Sequence, residues 1–487
     1  MDLPLANGLS WGWNEVDKNQ DAQLAEKAAL EHVLLTVKYY GAKVDGVTDD
    51  TIAIQKNADA GTPIVIPGKV YITQPIVFNN QSQRIKGYGK GSSTQYLSQI
   101  YSDQDIEFIQ VKANFCTIEG LSLYCSSPTH SKKHIQSYSA TDMKVIDCRI
   151  EGVDAATTGS GIGFTDGAGN YGGSMGLVDK CILSHASIDI QSSDIHVTNS
   201  WVWANSRPYG IKISGSSSNI TLQTVDILPP RKDVPNAIAG LYITGAAAQP
   251  KILGCYFDGN FGLATGTGCL IENGTLAPLM SDCHFNGLDS HALILDSLIC
   301  PIVSNCTFYN NNQSADGSVD ILLRQTFSQP MEKPLIEGGT HIQTSALSGT
   351  IGPSIKVQTG TQKKRMRIID NTIHQPGTGG GYSDVEILLE DGYFANTAEG
   401  SLKGNGGTRT VYSSSGNTSV AANATFQTVN FLNTMAYIPR LDQYQTAVEG
   451  VGAESITYRL QKNDVSSIQF GFPATHADFT LHFNVSL

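Results

Sequence analysis

One short pattern recurs along the chain: a small or buried-type residue, usually cysteine, with an apolar residue two positions after it. It occurs in Val145–Ile150, Val178–Leu183, Val197–Val202, Leu253–Phe257, Met280–Phe285, Val303–Phe308 and Ile368–Ile373. We call the central position the slot; it falls at Leu121, Cys148, Cys181, Ser200, Val225, Cys255, Cys283, Cys306, Gly339 and Asn371, at intervals of 19 to 33 residues. An irregular period of this size, with alternating apolar residues, predicts one coil of a parallel β-helix per repeat.

Length and charge agree with a solenoid. A chain of 487 residues is too long for one compact core, whereas a solenoid can carry most of it as one body. The formal net charge is −12 and only 16% of residues are charged. Nucleic acid is therefore excluded as an expected partner, because binding to phosphates needs a basic face.

The nine cysteines are predicted to be reduced and structural. Five of them occupy the slot, where free cysteine acts as a small apolar residue. No CxxC or Cys/His spacing indicates zinc, so we expect no metal and no cofactor. The chain begins without a basic and apolar leader, and we expect synthesis in a host cytoplasm without a signal peptide or a membrane span.

The segments Val37–Gln55, Pro63–Thr73 and Ile85–Gly91 carry a resemblance to a known superfamily. The stretch Gly41-Ala-x-x-Asp-Gly-x-x-Asp-Asp-Thr51 resembles the opening of the pectate-lyase-like fold of bacteriophage tailspikes and capsule depolymerases. The resemblance implies an all-β, right-handed parallel β-helix, a homotrimer held by a C-terminal β-domain, attachment to the phage tail or baseplate through the N-terminus, and a place in the virion tail. Active sites differ among tailspikes, so it assigns no catalytic residue.

Three acidic residues in this opening, Asp45, Asp49 and Asp50, are interpreted as structural. Asp49 and Asp50 precede an amphipathic stretch, where carboxylates accept hydrogen bonds from free backbone N–H groups and complement the helix dipole.

The chain divides into three predicted parts. Residues 1–36 contain a helical pattern that starts near Asn19, residues 37–405 form the β-helix with the substrate site, and residues 406–487 form a small antiparallel β-domain. The third part shows period-two alternation joined by Gly, Asn and Ala turns.

Outward residues of successive coils should form columns, because adjacent strands lie about 4.8 Å apart. The positions one and three residues after the slot bring together Trp201, Trp203, Asp226, Tyr256, Asp258 and His284. Aromatic rings beside carboxylates suit sugars, whose C–H faces stack on rings while their hydroxyl groups need hydrogen-bond partners.

A second strand of each coil gives another column, in which Glu272 and Asp296 are followed by Arg324. Adjacent carboxylates repel, and this raises one pKa and favours an acid and base pair, although Arg324 would weaken the effect. Tyr242 is expected to stack on substrate, and Arg207 and Tyr209 lie either at the groove edge or in a bare turn.

The leading hypothesis is a tailspike depolymerase that hydrolyses a bacterial capsule or O-antigen with Asp226 and Asp258, or with Glu272 and Asp296. Retaining glycosidases hold their carboxyl groups about 5–5.5 Å apart and inverting ones about 6.5–9.5 Å.

Three alternatives remain open: a non-catalytic glycan-binding adhesin, a purely structural fibre, and a lyase acting on uronic acids. A lyase would need a base such as His284 or Tyr256, and a cation such as Arg149, Lys212 or Arg207.

Overall fold

The structure, a computed structural model, describes residues 35–91, 97–154, 159–165, 173–259, 266–311, 318–343, 352–358, 361, 366–374 and 387–389, together with the strands beyond residue 400. Three long parallel sheets of 13, 13 and 12 strands run side by side along the chain, which confirms the right-handed parallel β-helix.

Each coil contributes one strand to each of three sheets, which we name A, B and C. Sheet A contains Asp45–Asp49, Lys69–Tyr71, Gln99–Ser102, Ser122–Cys125, Arg149–Glu151, Ile182–Ser184, Trp201–Asn205, Asp226–Pro230, Tyr256–Asp258, His284–Asn286, Thr307–Tyr309, Thr340–Ile342 and Thr372–His374. Sheet B contains Ile64–Ile66, Arg84–Gly87, Thr117–Glu119, Lys144–Ile146, Gly176–Asp179, Ile195–Thr198, Thr221–Gln223, Lys251–Leu253, Leu279–Ser281, Ile302–Ser304, Leu335–Glu337, Arg367–Ile369 and Ser401–Lys403. Sheet C contains Ile76–Phe78, Ile109–Val111, Ile135–Ser137, Gly161–Phe164, Ser187–Ile190, Tyr209–Ile213, Ala239–Ile243, Thr267–Glu272, Leu293–Asp296, Ile321–Arg324, Ile355–Val357 and Ile387–Leu389.

The corner from sheet B to sheet A is two residues long in ten successive coils. The first corner residue is left-handed each time, with φ between 47° and 63°, and the second is the slot. The left-handed residues are Gly120, Asp147, Lys180, Asn199, Thr224, Gly254, Asp282, Asn305, Gly338 and Asp370. This backbone turn aims the slot side chain inward and begins the sheet A strand with an outward residue.

The core is a set of stacks inside the coils. The slot cysteines are buried and free, as are three of the other four cysteines. Two positions after the slot, the rings of Phe257, Phe285 and Phe308 stack with centroids 4.5 and 4.9 Å apart. The ring of His341 continues this stack 4.6 Å beyond Phe308. The prediction that the slot is buried is confirmed.

The first coil is closed by two helices, α1 (Leu35–Tyr39) and α2 (Thr51–Asp59). The Asp49 carboxylate accepts hydrogen bonds from the Thr51 N–H at 3.0 Å and from the Thr51 hydroxyl, as expected of a residue that caps α2. Asp50 differs from the expectation: its carboxylate accepts from the N–H groups of Lys43 and Val44 instead. It thus ties the preceding loop to the helix start. The helix expected near Asn19 lies outside the described residues.

Beyond the coils, six strands form two antiparallel sheets of three strands each. They are Gly416–Val420, Phe426–Asn430, Tyr444–Glu449, Arg459–Asn463, Ser467–Gly471 and Phe479–Val485. Antiparallel pairing agrees with the period-two alternation of the sequence. The start of the third predicted part, residues 406–415, lies outside the described residues. No helix in the described part of the chain is long and apolar enough to cross a bilayer.

Candidate functional site

The outward face of sheet A brings together the six residues that the sequence columns predicted there. Trp201, Asp226, Tyr256 and His284 follow one another in register on four successive strands. Trp203 and Asp258 stand two residues further along their own strands. We call these six residues the sheet A site.

The two carboxylates of the site are diagonal neighbours. Asp226 pairs with Tyr256, and Asp258 lies two residues further along the same strand as Tyr256. One strand spacing of about 4.8 Å and two residues at about 3.3 Å each place their Cα atoms about 8 Å apart. Both side chains project from the same face, and carboxyl groups on parallel side chains keep about the spacing of their Cα atoms; inverting glycosidases hold their carboxyl groups about 6.5–9.5 Å apart.

Their environments are unequal. Burial, together with the charge of Asp258, raises the pKa of Asp226 to about 6. One oxygen of Asp226 is buried without a hydrogen-bond partner. Burial also raises the pKa of Asp258, but the Asn286 amide opposes this by donating to its carboxylate at 3.2 Å. Asp226 is therefore the carboxyl group that keeps its proton to higher pH.

Aromatic rings surround the carboxylates. Trp201 is 49% exposed and stacks with Trp203 at a centroid distance of 5.9 Å. Tyr256 is 36% exposed and lies 6.0 Å from the exposed ring of His284. Exposed aromatic surface of this extent is costly without a partner, so the face has the composition of a sugar-binding surface.

A second cluster lies on the outward face of sheet C. The hydroxyl group of Tyr242 donates to Glu272 at 2.7 Å. Tyr209 lies 6.4 Å from Tyr242, and the Lys212 ammonium lies 5.6 and 5.9 Å from the two ring centroids. Tyr209 donates weakly to Asp189, at 3.4 Å. These residues lie on a different face from the sheet A site. The sequence predicted the two columns but not how their faces are related.

Asp296 requires a correction. Glu272, Asp296 and Arg324 stack in register as predicted. Asp296, however, is fully buried: its carboxylate accepts from Arg324 at 2.7 Å and from the N–H and hydroxyl of Thr326 at 2.9 and 2.6 Å. Burial opposes ionisation, yet these hydrogen bonds hold the pKa of Asp296 below its ordinary value. It is a structural anion without access to substrate.

Arg207 also differs from the expectation, because its side chain is 1% exposed and lies inside the corner between sheets A and C, not at a groove edge. It donates to the His185 carbonyl at 2.7 Å and to the Ser160 hydroxyl at 2.9 Å. These groups belong to neighbouring coils, so Arg207 ties the coils together.

Asn286 stands three residues after the slot Cys283, in the same column as Asp258, and the sequence predicted no role for it. An uncharged amide carries no signal of its own, and its importance depends on contact with Asp258. The signal that could have found it is register, since Asn286 pairs with Asp258 on the next strand.

Comparison with known proteins supports the fold. No family model matches the chain. Pre-neck appendage proteins of the Bacillus phages PZA and phi29 are 26% identical over 170 residues, which is 30% of this chain and 19% of each relative. The match thus spans less than a fifth of those relatives.

Solved structures match over more of the chain. The Dettilon tailspike protein has a TM-score of 0.54 at 13% identity, covering 92% of this chain and 93% of that one. The A-module of the Azotobacter vinelandii mannuronan C-5 epimerase AlgE4 gives 0.53 at 16% identity, covering 71% and 98%. Tailspike protein 3 of bacteriophage CBA120 gives 0.52 at 12% identity, covering 77% and 62%. Identities this low show the fold, and they confirm the resemblance to tailspikes in that respect.

Proposed function

We propose that the protein is a phage tailspike depolymerase that binds and hydrolyses a bacterial surface polysaccharide, capsule or O-antigen, at the sheet A site. The single observation that carries the proposal is the pair Asp226 and Asp258, with unequal environments, on a face with exposed Trp201 and Tyr256. The tailspike fold and the phage appendage relatives support the assignment to a virion tail.

The pair divides the work of hydrolysis. Protonated Asp226 donates its proton to the glycosidic oxygen as that oxygen leaves the anomeric carbon. Ionised Asp258 takes a proton from the water that attacks the same carbon from the opposite side. The Cα separation of about 8 Å supports this inverting arrangement. Trp201, Trp203 and Tyr256 hold the sugar rings by stacking.

Hydrolysis is favoured over a lyase reaction by the state of the cations. A lyase needs a free cation to hold the uronate carboxylate beside the base. Arg207 is buried, Arg149 is 3.3 Å from the Glu151 carboxylate, and Lys212 lies on sheet C. None of the three lies free beside His284 or Tyr256.

The test uses purified capsules and O-antigens incubated with wild-type protein and with Asp226→Asn and Asp258→Asn. We expect polymer size to fall with wild type only, new reducing ends of inverted anomeric configuration by NMR, and a loss of about 10²–10⁴-fold in each variant. Asp282→Asn, which removes an exposed carboxylate from a sheet B corner, is the control. Binding without any loss of size supports an adhesin instead, and absorbance from unsaturated uronate supports a lyase.

Assembly forms part of the same proposal. We expect a homotrimer, with residues 406–487 as the trimerising β-domain and the N-terminus attached to the phage tail or baseplate. Sedimentation of the full chain should give three times the 52.1 kDa mass of one chain. A measured mass of one chain would contradict the proposed trimer but would not affect the proposal for the sheet A site.

A further inference from the structure

Three tyrosines form a second aromatic group on sheet A, far from the carboxylates. Tyr71, Tyr101 and Tyr124 are in register on three successive strands. Their ring centroids are 5.7 and 5.9 Å apart, with planes inclined by 37° and 25°. We call this group the tyrosine ladder.

The ladder is part of the column that contains Trp203. From Tyr124 the register continues through Glu151 and Ser184 to Trp203. The strand of Asp258 follows two coils later. Tyr124 is therefore five coils, or about 24 Å, from Asp258, and Tyr71 is about 34 Å from it.

The surroundings of the rings are polar. The hydroxyl of Tyr71 donates to Asp103 at 2.8 Å, and that of Tyr101 shares a hydrogen bond with Ser126 at 2.9 Å. The Lys69 ammonium lies 4.5 Å from the Tyr101 centroid. All three rings are half-buried, so each keeps part of its surface in water. Flat apolar surface framed by donors and acceptors is the pattern that binds sugar rings.

We propose that the tyrosine ladder is a remote saccharide-binding subsite that holds the polysaccharide while the carboxylates cleave it. This inference rests on the proposed function, since it assigns the ladder to the same polymer. A chain that lies along the column contacts the ladder and the sheet A site together only if it spans the gap between them. Short oligosaccharides bound at the carboxylates do not reach the ladder.

The experiment compares substrates of different length. The intact polymer that wild type cleaves is tested against oligosaccharides isolated from its own digest that are too short to span about 24 Å. The variants are Tyr101→Ala and the triple alanine variant of the ladder. Tyr39→Ala is the matched control, because Tyr39 is 83% exposed in α1, outside the column.

We expect kcat/KM on the polymer to fall about tenfold in the triple variant, equivalent to about 1.4 kcal/mol, while kcat/KM on the oligosaccharides stays unchanged. Equal losses on both substrates, or no loss on either, would overturn the proposal. Tyr101→Leu, which keeps an apolar side chain but removes the flat ring, serves if an alanine variant does not fold.

Failure of the underlying function is recognised separately. If wild type cleaves none of the polymers, binding of each polymer is measured on the Asp226→Asn protein with and without the ladder substitutions. Loss of polymer binding with those substitutions then supports the ladder although the proposed hydrolysis has failed. If the substitutions leave polymer binding unchanged, the proposed role of the tyrosine ladder is contradicted as well.

Discussion

At the scale of single residues, the sheet A site depends on the different burial and hydrogen bonding of two aspartates. Asp226 is desolvated and has a buried oxygen without a partner, whereas Asp258 receives a hydrogen bond from the Asn286 amide. Both effects act in the same direction, because each favours a proton on Asp226 over one on Asp258. In the proposed hydrolysis, this difference lets one residue type serve as both the acid and the base.

Activity should therefore fall as the pH rises through about 6. Above this pKa Asp226 loses the proton that the leaving oxygen requires, so we expect kcat/KM to decrease about tenfold per pH unit. The measurement is the pH profile of polymer cleavage for wild type and for Asp282→Asn, which should share the same descending limb. Constant activity up to pH 8, or a limb that Glu272→Gln displaces, would place the acid elsewhere.

At the scale of elements, the two-residue corner from sheet B to sheet A determines the register of the whole site. A left-handed backbone is inexpensive for glycine and tolerated by asparagine and aspartate, but it is unfavourable for other residues. Most corners comply, and Thr224 is the β-branched exception, with φ at 53°. Its strand begins with Asp226, so the strain lies two residues from the proposed acid.

Replacement of Thr224 by asparagine should stabilise the protein by about 1 kcal/mol, because it relieves a left-handed β-branched residue on the surface. Asn199 occupies the same corner one coil earlier with φ at 47°, so Asn199→Thr is the reciprocal control and should destabilise by a similar amount. The measurement is the midpoint of thermal unfolding of each variant, compared with that of wild type. Unchanged midpoints in both would mean that the corner does not limit stability.

At the scale of the whole molecule, the slot predicted most of the architecture and the columns, because strand register in a β-helix repeats from coil to coil. What it could not predict were contacts from connections between strands. Thr326 donates a hydrogen bond to the Asp296 carboxylate, and Arg207 donates one to the Ser160 hydroxyl. Neither contact follows from spacing along a column. Burial of a charged residue in such a molecule is decided by loops whose paths the period does not fix.

Stability should decrease in acid because of two buried histidines. Burial, with Arg207 and Lys133 nearby, lowers the pKa of His130 to about 4 although Asp105 opposes this, and burial also holds the pKa of His134 well below its ordinary value. The unfolded chain, with a histidine pKa of about 6.5, thus binds more protons than the folded one as pH falls from 6.5 towards 4. His130 alone should cost about 2 kcal/mol between pH 7 and pH 5.

Chemical denaturation of wild type and His130→Gln at these two pH values tests this expectation. Asp226 contributes in the opposite sense, since its raised pKa favours the folded state as pH falls below 6, so the difference between the two proteins is the informative quantity. The variant should lose less stability in acid than wild type, and His196→Gln, on the exposed face of sheet B, should behave as wild type. Identical pH dependence of all three proteins would contradict the assignment.

The constant corner also bears on how such a chain can diversify. Among the connections that the structure describes throughout, those between the other sheets range from two residues at 185–186 to ten at 325–334, while the corner between sheets B and A keeps its two residues in ten successive coils. Insertions and deletions at the variable connections leave the pairing of every outward residue intact. Descendants of one scaffold can therefore exchange loops by recombination, while the register of the outward columns is inherited unaltered.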